Sequence, residues 1–212
     1  MTGRLPHLIE TVRVSRGRAP LWHLHHSRLQ ASADALGLRL AHLAEPSGAD
    51  RVVRILAGNG EATIEERLPG PAGPLPVAFS GLPHPGYPHK TDRREAFVRA
   101  LAEVAVDGAS EAILSTTEGW VAEGSFTAVL WWEGERIAAP PLGLRILPSV
   151  ARRRIAEIAG PIAEMRIDPQ ALAARSFFLA NAARGIVEVA ALQGESTCRD
   201  ARTAALARRF WP

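Results

Sequence analysis

Seven prolines stand between Leu68 and Pro88, at positions 69, 71, 74, 76, 83, 85 and 88. Each fixes φ and removes a backbone donor, so neither a helix nor a central strand runs unbroken through the stretch. Only Val77-Ala78-Phe79 reads as a strand within it. The 212-residue chain therefore divides here, into a small N-terminal α/β domain (residues 1–76) and a larger C-terminal domain (residues 77–212). Each part is long enough to build a core of its own.

Before the prolines, Leu8 to Val14 alternate apolar and polar, Ser15-Arg16-Gly17-Arg18 turns, and Pro20 to Leu24 resumes, which predicts a hairpin. A helix follows over Ser27 to Leu36, stopping at Gly37, with Arg28 in its first turn where free N–H groups favour an anion. Arg51 to Ala57 and Ala62 to Glu66 flank Gly58-Asn59-Gly60 and predict a second hairpin.

After the prolines, Asp92 is placed to cap a helix with apolar Ala96, Phe97, Ala100, Leu101 and Val104, ending at Gly108. Strands follow at 111–116 and 125–132, read as consecutive strands of one antiparallel sheet. Pro148-Ser149 opens a helix over Val150 to Ala159. The remainder predicts a strand at 162–167, a short helix after Asp168-Pro169, strands at 176–180 and 186–191, and a last helix from Asp200.

Composition narrows the function. The net charge is only +3 despite a pI near 9.9, the arginines are scattered, and one tyrosine offers no stacking platform, which argues against nucleic-acid binding. No apolar run is long enough for a membrane span, and the N-terminus lacks a signal-peptide core, so a cytoplasmic protein is expected. The lone Cys198 rules out an internal disulfide framework. His23, His25, His26 and His89 lack an accompanying carboxylate pattern, and no metal is expected.

Lys90 is the only lysine among 25 basic residues. Everywhere else arginine serves. What lysine offers and arginine does not is a nucleophilic amine able to form a Schiff base, because a guanidinium stays protonated.

Four stretches, in this order and spacing, carry a resemblance over nearly the whole chain. They are Leu8 to Val14 with His25-His26-Ser27-Arg28-Leu29; His89-Lys90-Thr91 with Arg94; Val121-Ala122-Glu123-Gly124-Ser125-Phe126-Thr127; and Asn181-Ala182-Ala183-Arg184-Gly185. Together they resemble the fold-type IV pyridoxal-phosphate enzymes, which include branched-chain and D-amino-acid aminotransferases and 4-amino-4-deoxychorismate lyase. The resemblance implies an α+β, two-domain D-amino-acid aminotransferase-like fold whose larger domain holds a mostly antiparallel sheet or pseudobarrel and carries Lys90. It implies pyridoxal 5′-phosphate as cofactor, bound covalently by Lys90, which also shuttles protons. Glu123 matches the carboxylate facing the pyridine nitrogen, Arg28 a phosphate-binding arginine, the Ser149-Val150 amides a second phosphate contact, and Asn181 a further one.

Within the class, the Leu8 to Arg13 and His25 to Leu29 stretches are most similar to the lyase branch, especially lyase domains fused to aminodeoxychorismate synthase. Arg94, four residues after the lysine, fits that branch; aminotransferases tend to carry tyrosine where this chain has Glu95. Arg94 and Arg184 are then candidates for the substrate carboxylates. The implied reaction converts 4-amino-4-deoxychorismate to 4-aminobenzoate and pyruvate. An aminotransferase acting on a branched-chain or D-amino acid and a non-catalytic partner domain are the alternatives. The family implies a homodimer, and association with a separate aminodeoxychorismate synthase is compatible with it. The sequence departs from the family in three places. It begins almost at the first Thr, so that a sheet edge is expected to be missing or reorganised. Ala151 stands where a phosphate-binding threonine is common, with Ser149 as the stand-in, and Ala128 replaces a common asparagine.

Overall fold

The structure, a computed structural model, describes residues 5–70 and 73–212. The stretch Met1 to Arg4, read above for a signal sequence, and Pro71 of the proline-rich connection lie outside the described residues. Two compact units result. One holds residues 5–70 with His89–Arg94 and Ala182–Arg184, the other residues 73–88, 95–181 and 185–212.

In the first unit, β1 (Leu8–Val14), β2 (Arg51–Gly58) and β3 (Glu61–Arg67) form an antiparallel sheet in that order. The β2–β3 hairpin turns through Asn59 and Gly60, at φ 57° and 83°, the left-handed pair that a two-residue turn of this hand demands and that these residue types tolerate. Strand alternation puts Leu8, Glu10, Val12 and Val14 on one face of β1, against α1 (Trp22–Leu36). There Leu8, Val12 and Val14 join Leu29, Ala33, Val53 and Ile55 in the core. β3 is an edge strand with Glu61, Glu65, Glu66 and Arg67 exposed, and Arg54–Glu65 and Arg51–Glu66 pair across it at 2.9 Å. Such charge discourages further strand addition. The opposite edge of β1 takes the Lys90 segment: Ile9 N–H donates to Lys90 O at 2.7 Å, and Asp92 N–H donates to His7 O at 2.9 Å.

Three local expectations change here. The arm Pro20 to Leu24 is not a strand: a tight turn closes between Ser15 and Arg18, but the chain then enters α1 at Trp22. Pro20 deprives a ladder of its donor, and buried Leu21, Leu24, His25, Arg28 and Leu29 follow a helical period that starts earlier than the predicted helix. Arg28 consequently lies well inside α1 rather than in its first turn. Asp92 does not cap the next helix, because its carboxylate accepts from His7 N–H at 3.1 Å and contacts His7 Nδ1 at 3.2 Å.

The second unit contains β4 (Leu75–Pro83), α2 (Glu95–Ala105), β5 (Glu111–Ser115), β6 (Val121–Gly124), β7 (Ala128–Glu133) and β8 (Arg136–Ala139). It continues with α3 (Val150–Ala159), β9 (Ala163–Glu164), α4 (Pro169–Ala173), β10 (Phe177–Asn181), β11 (Gly185–Leu192), β12 (Glu195–Ser196) and α5 (Ala201–Phe210). Its nine strands run in the order β6-β5-β4-β11-β10-β7-β8-β9, with β12 on β11. The sheet is mixed: β4 is parallel to both β5 and β11, and β8 to β9, while the other pairs are antiparallel. The strands β5 and β7 lie in this one sheet without being adjacent: β6 ends the path on β5, and β7 pairs with β10. The strand read at 162–167 shrinks to Ala163–Glu164, since Pro161 precedes it and Ile167 O is taken by Val121 N–H at 2.8 Å. Trp131, Leu179, Val189, Ile113 and Leu172 lie in the main core, and α2 packs Phe97, Ala100 and Val104 on Ala78, Ala112 and Leu114. The chain is thus mixed α+β, with an antiparallel three-stranded sheet in one unit and a mixed nine-stranded sheet in the other.

Candidate active site

A carboxylate on the core face of β1 needs partners, and α1 supplies them. Glu10, 1% exposed, accepts from Arg28 Nε at 2.9 Å and Nη2 at 2.6 Å, a bidentate pair, while His25 Nδ1 lies 2.5 Å from its Oε2. His25 and Arg28 are three apart, so one helix face presents both. Burial works to raise the Glu10 pKa, but the Arg28 guanidinium and the His25 ring outweigh it and hold it at about 2. For His25 burial is the largest influence and lowers the pKa below 6.5 against the pull of Glu10; the Arg28 and Lys90 charges lower it further. A neutral ring donating from Nδ1 leaves Nε2 as an acceptor, and that atom is buried with no hydrogen-bond partner. In the same unit Lys90 is half-buried, its neighbour His89 contacts Ser32 Oγ of α1 at 3.1 Å, and Thr91 Oγ1 is buried without a hydrogen bond. Arg94 and Arg184 also belong to this unit, both half-buried.

The second unit holds Glu123, Ser149, Val150 and Asn181. Glu123 is the penultimate residue of β6, 7% exposed, and its Oε1 lies 2.8 Å from His84 Nε2 and accepts from Leu147 N–H at 3.0 Å. The loop that follows folds around a second buried carboxyl. Ser125 Oγ donates to Glu111 Oε1 at 2.6 Å, Phe126 N–H to the same oxygen at 3.3 Å, and Thr127 Oγ1 to Oε2 at 3.1 Å. Burial pushes the Glu111 pKa up to about 7 in spite of those donors. Gly124 is required by this wrapping, because a Cβ there would stand 2.2 Å from Thr127 Oγ1 and 3.1 Å from the Glu111 carboxyl. Asn181 Nδ2 donates to Phe126 O at 3.4 Å, tying the end of β10 to the same loop.

Ser149 caps α3, its Oγ accepting from Arg152 N–H at 3.3 Å, so its own O–H remains to donate. The Val150 and Ala151 amides precede the first intrahelical bonds, and the helix end carries partial positive charge, which suits an anion.

By residue chemistry alone, the first unit offers an amine and a guanidinium and the second a carboxylate and a helix N-terminus, the group types that suit pyridoxal phosphate. Two atoms also lack protein partners, the buried Thr91 Oγ1 beside Lys90 and, among the described residues, Glu123 Oε2. Glu10, His84 and Glu111 escape a motif reading. Glu10 does carry a signal, since it sits in the apolar row of β1. His84 lies 39 residues from Glu123 and carries none.

Comparison with known proteins identifies the architecture. A family model described as amino-transferase class IV matches residues 78–192, more than half of the chain. No curated protein matches the sequence. Among solved structures, a branched-chain aminotransferase from Thermoproteus uzoniensis is 21% identical with TM-score 0.86, covering 98% of this chain and 84% of its own. A provisionally assigned 4-amino-4-deoxychorismate lyase is 24% identical with TM-score 0.82, covering 99% and 91%. A hypothetical aminotransferase from Mycobacterium tuberculosis in its PLP-bound form is 20% identical with TM-score 0.82, covering 98% and 88%. At these identities the likeness establishes the fold, and the family model adds the class, whose enzymes depend on pyridoxal phosphate. This chain belongs to the class IV aminotransferase family.

Proposed function

We propose that the protein is a pyridoxal-phosphate-dependent lyase that converts 4-amino-4-deoxychorismate to 4-aminobenzoate and pyruvate. The observation that carries the cofactor half of this reading is Lys90, the sole lysine, half-buried in the unit that holds the Glu10–His25–Arg28 cluster. Arg94, together with an exposed Glu95 in place of an aminotransferase tyrosine, supports the lyase half.

When bound, pyridoxal phosphate supplies the covalent attachment point for the substrate amine and an electron sink for the pair released at its carbon. Lys90 Nζ would hold the cofactor and, as a free amine, would take the proton from the substrate carbon bearing nitrogen. A released lysine amine is neutral and adjacent, so it needs no further tuning to act as base. Arg28, Asn181 and the Ser149-Val150 end of α3 bind the phosphate. Glu123 keeps the pyridine nitrogen protonated. Arg94 and Arg184 hold the carboxylates of the substrate, and formation of the aromatic product drives loss of the enolpyruvyl group.

Pyruvate appearing in equal amount with 4-aminobenzoate, followed through a coupled lactate dehydrogenase, is the outcome this reading requires. Amino transfer to a 2-oxo acid without pyruvate from aminodeoxychorismate would replace it with the aminotransferase reading, which the likeness to the branched-chain enzyme supports. A homodimer, a cytoplasmic location and association with a separate synthase are part of the same proposal. No described helix is long and apolar enough to cross a membrane.

A further inference from the structure

Two buried carboxylates in this chain are held in opposite ways. Glu10 is gripped by a guanidinium, which cancels its charge. Glu123 is gripped by an imidazole and a backbone amide, both on Oε1, with Oε2 left without a partner among the described residues.

The imidazole is itself fixed. The His84 side chain is 0% exposed, and its ring stands edge-on to Phe97 with centroids 5.6 Å apart. Its backbone N–H donates to Ser115 O at 2.8 Å, and Gly86 N–H donates to its Nδ1 at 3.1 Å. A ring nitrogen that accepts a hydrogen bond carries no proton, so the one ring proton is on Nε2, directed at Glu123 Oε1. His84 thus orients the carboxylate without contributing a cation.

We infer that His84 is a positioning residue. By donating from a single-proton ring to Oε1, it leaves Glu123 negative and aims Oε2 outward as the counter-charge for the protonated pyridine nitrogen of the cofactor. This rests on the assignment of Glu123 to that nitrogen in the proposed function. An arginine or lysine in place of His84 would hold the carboxylate equally well but cancel the charge that keeps the pyridine protonated.

The test compares wild type, H84A and H84Q, each loaded with pyridoxal phosphate labelled with 15N in the ring. Glutamine is chosen because its amide N–H can replace the Nε2–H. In wild type and H84Q the pyridine nitrogen is expected to show the protonated 15N shift; in H84A the signal is expected to move toward the unprotonated value. H84A should lose about 10- to 100-fold in kcat, the effect of removing one hydrogen bond to a charged group, with KM within about twofold and with recovery in H84Q. An H84A protein whose pyridine signal and kcat equal those of wild type would overturn the inference alone, as would H84Q failing as badly as H84A while unfolding at the wild-type temperature. Imidazole 15N spectra of the apoprotein give a cofactor-free check: a protonated Nδ1 on His84 would also overturn it. Failure of the wild type to attach pyridoxal phosphate at Lys90 would instead bring down the cofactor reading on which it stands.

Discussion

At the scale of single residues, the Glu10–Arg28 pair buries two opposite charges in the first unit. Glu10→Gln leaves a buried guanidinium without its counter-charge and is expected to cost about 3–5 kcal/mol, read from urea unfolding. Glu65→Gln at the exposed Arg54 pair should cost under about 1 kcal/mol in the same assay. The acid limb of the stability curve follows from the depressed Glu10 pKa. Its contribution is present above about 4.5 and is lost as pH falls from there toward about 2, because the unfolded chain takes up the proton first. His25, lowered from 6.5 by burial, acts in the same direction from pH 6.5 downward. Glu111 acts in the opposite sense: with a pKa raised to about 7, it favours folding below 4.5, and that contribution disappears as pH rises through 7. Glu111→Gln should therefore gain on wild type by up to roughly 3 kcal/mol between pH 4.5 and 8, measured by unfolding at each pH. The sequence displays Lys90 through its singularity and Glu123 through its surrounding stretch. It hides His84 and Glu111, whose partners lie 39 and 14 to 16 residues away.

Capping and loop geometry set the next scale. The helix Val150–Ala159 is legible to the residue because Pro148-Ser149 states its start in local chemistry, and the Asn59-Gly60 hairpin is legible for the same reason. Ser149→Ala is expected to lower stability by about 1 kcal/mol in thermal unfolding, the ordinary cost of losing such a cap. Gly124→Ala forces a methyl onto Thr127 Oγ1 and should displace the loop that wraps Glu111, detected as a lower unfolding temperature and as faster hydrogen exchange than in wild type at the Ser125 amide, which donates to Ala112 O at 2.8 Å. Where the sequence misleads, a longer-range demand overrides a local pattern. Pro20 to Leu24 alternates like a strand, yet the need to bring His25 and Arg28 to Glu10 belongs to a helix that begins at Trp22.

At the scale of the whole molecule, two short excursions run against a division of the chain at its proline-rich stretch. His89–Arg94 and Ala182–Arg184 pack with the first unit although their flanking residues belong to the second. The bond from Ile9 N–H to Lys90 O joins residues far apart in sequence, and nothing local announces it. Lys90 therefore sits on a segment paired with β1, between a strand and a helix that belong to the other unit. This lysine is proposed to hold the cofactor. The most direct measurement is to mix the purified protein with pyridoxal phosphate, reduce with borohydride, and map the modified residue by peptide mass. One pyridoxyl group per chain is expected, on Lys90 and absent from Lys90→Arg, together with a visible absorbance band in the unreduced wild type that the variant lacks. No attached group in the wild type, or attachment that persists in Lys90→Arg, would contradict it.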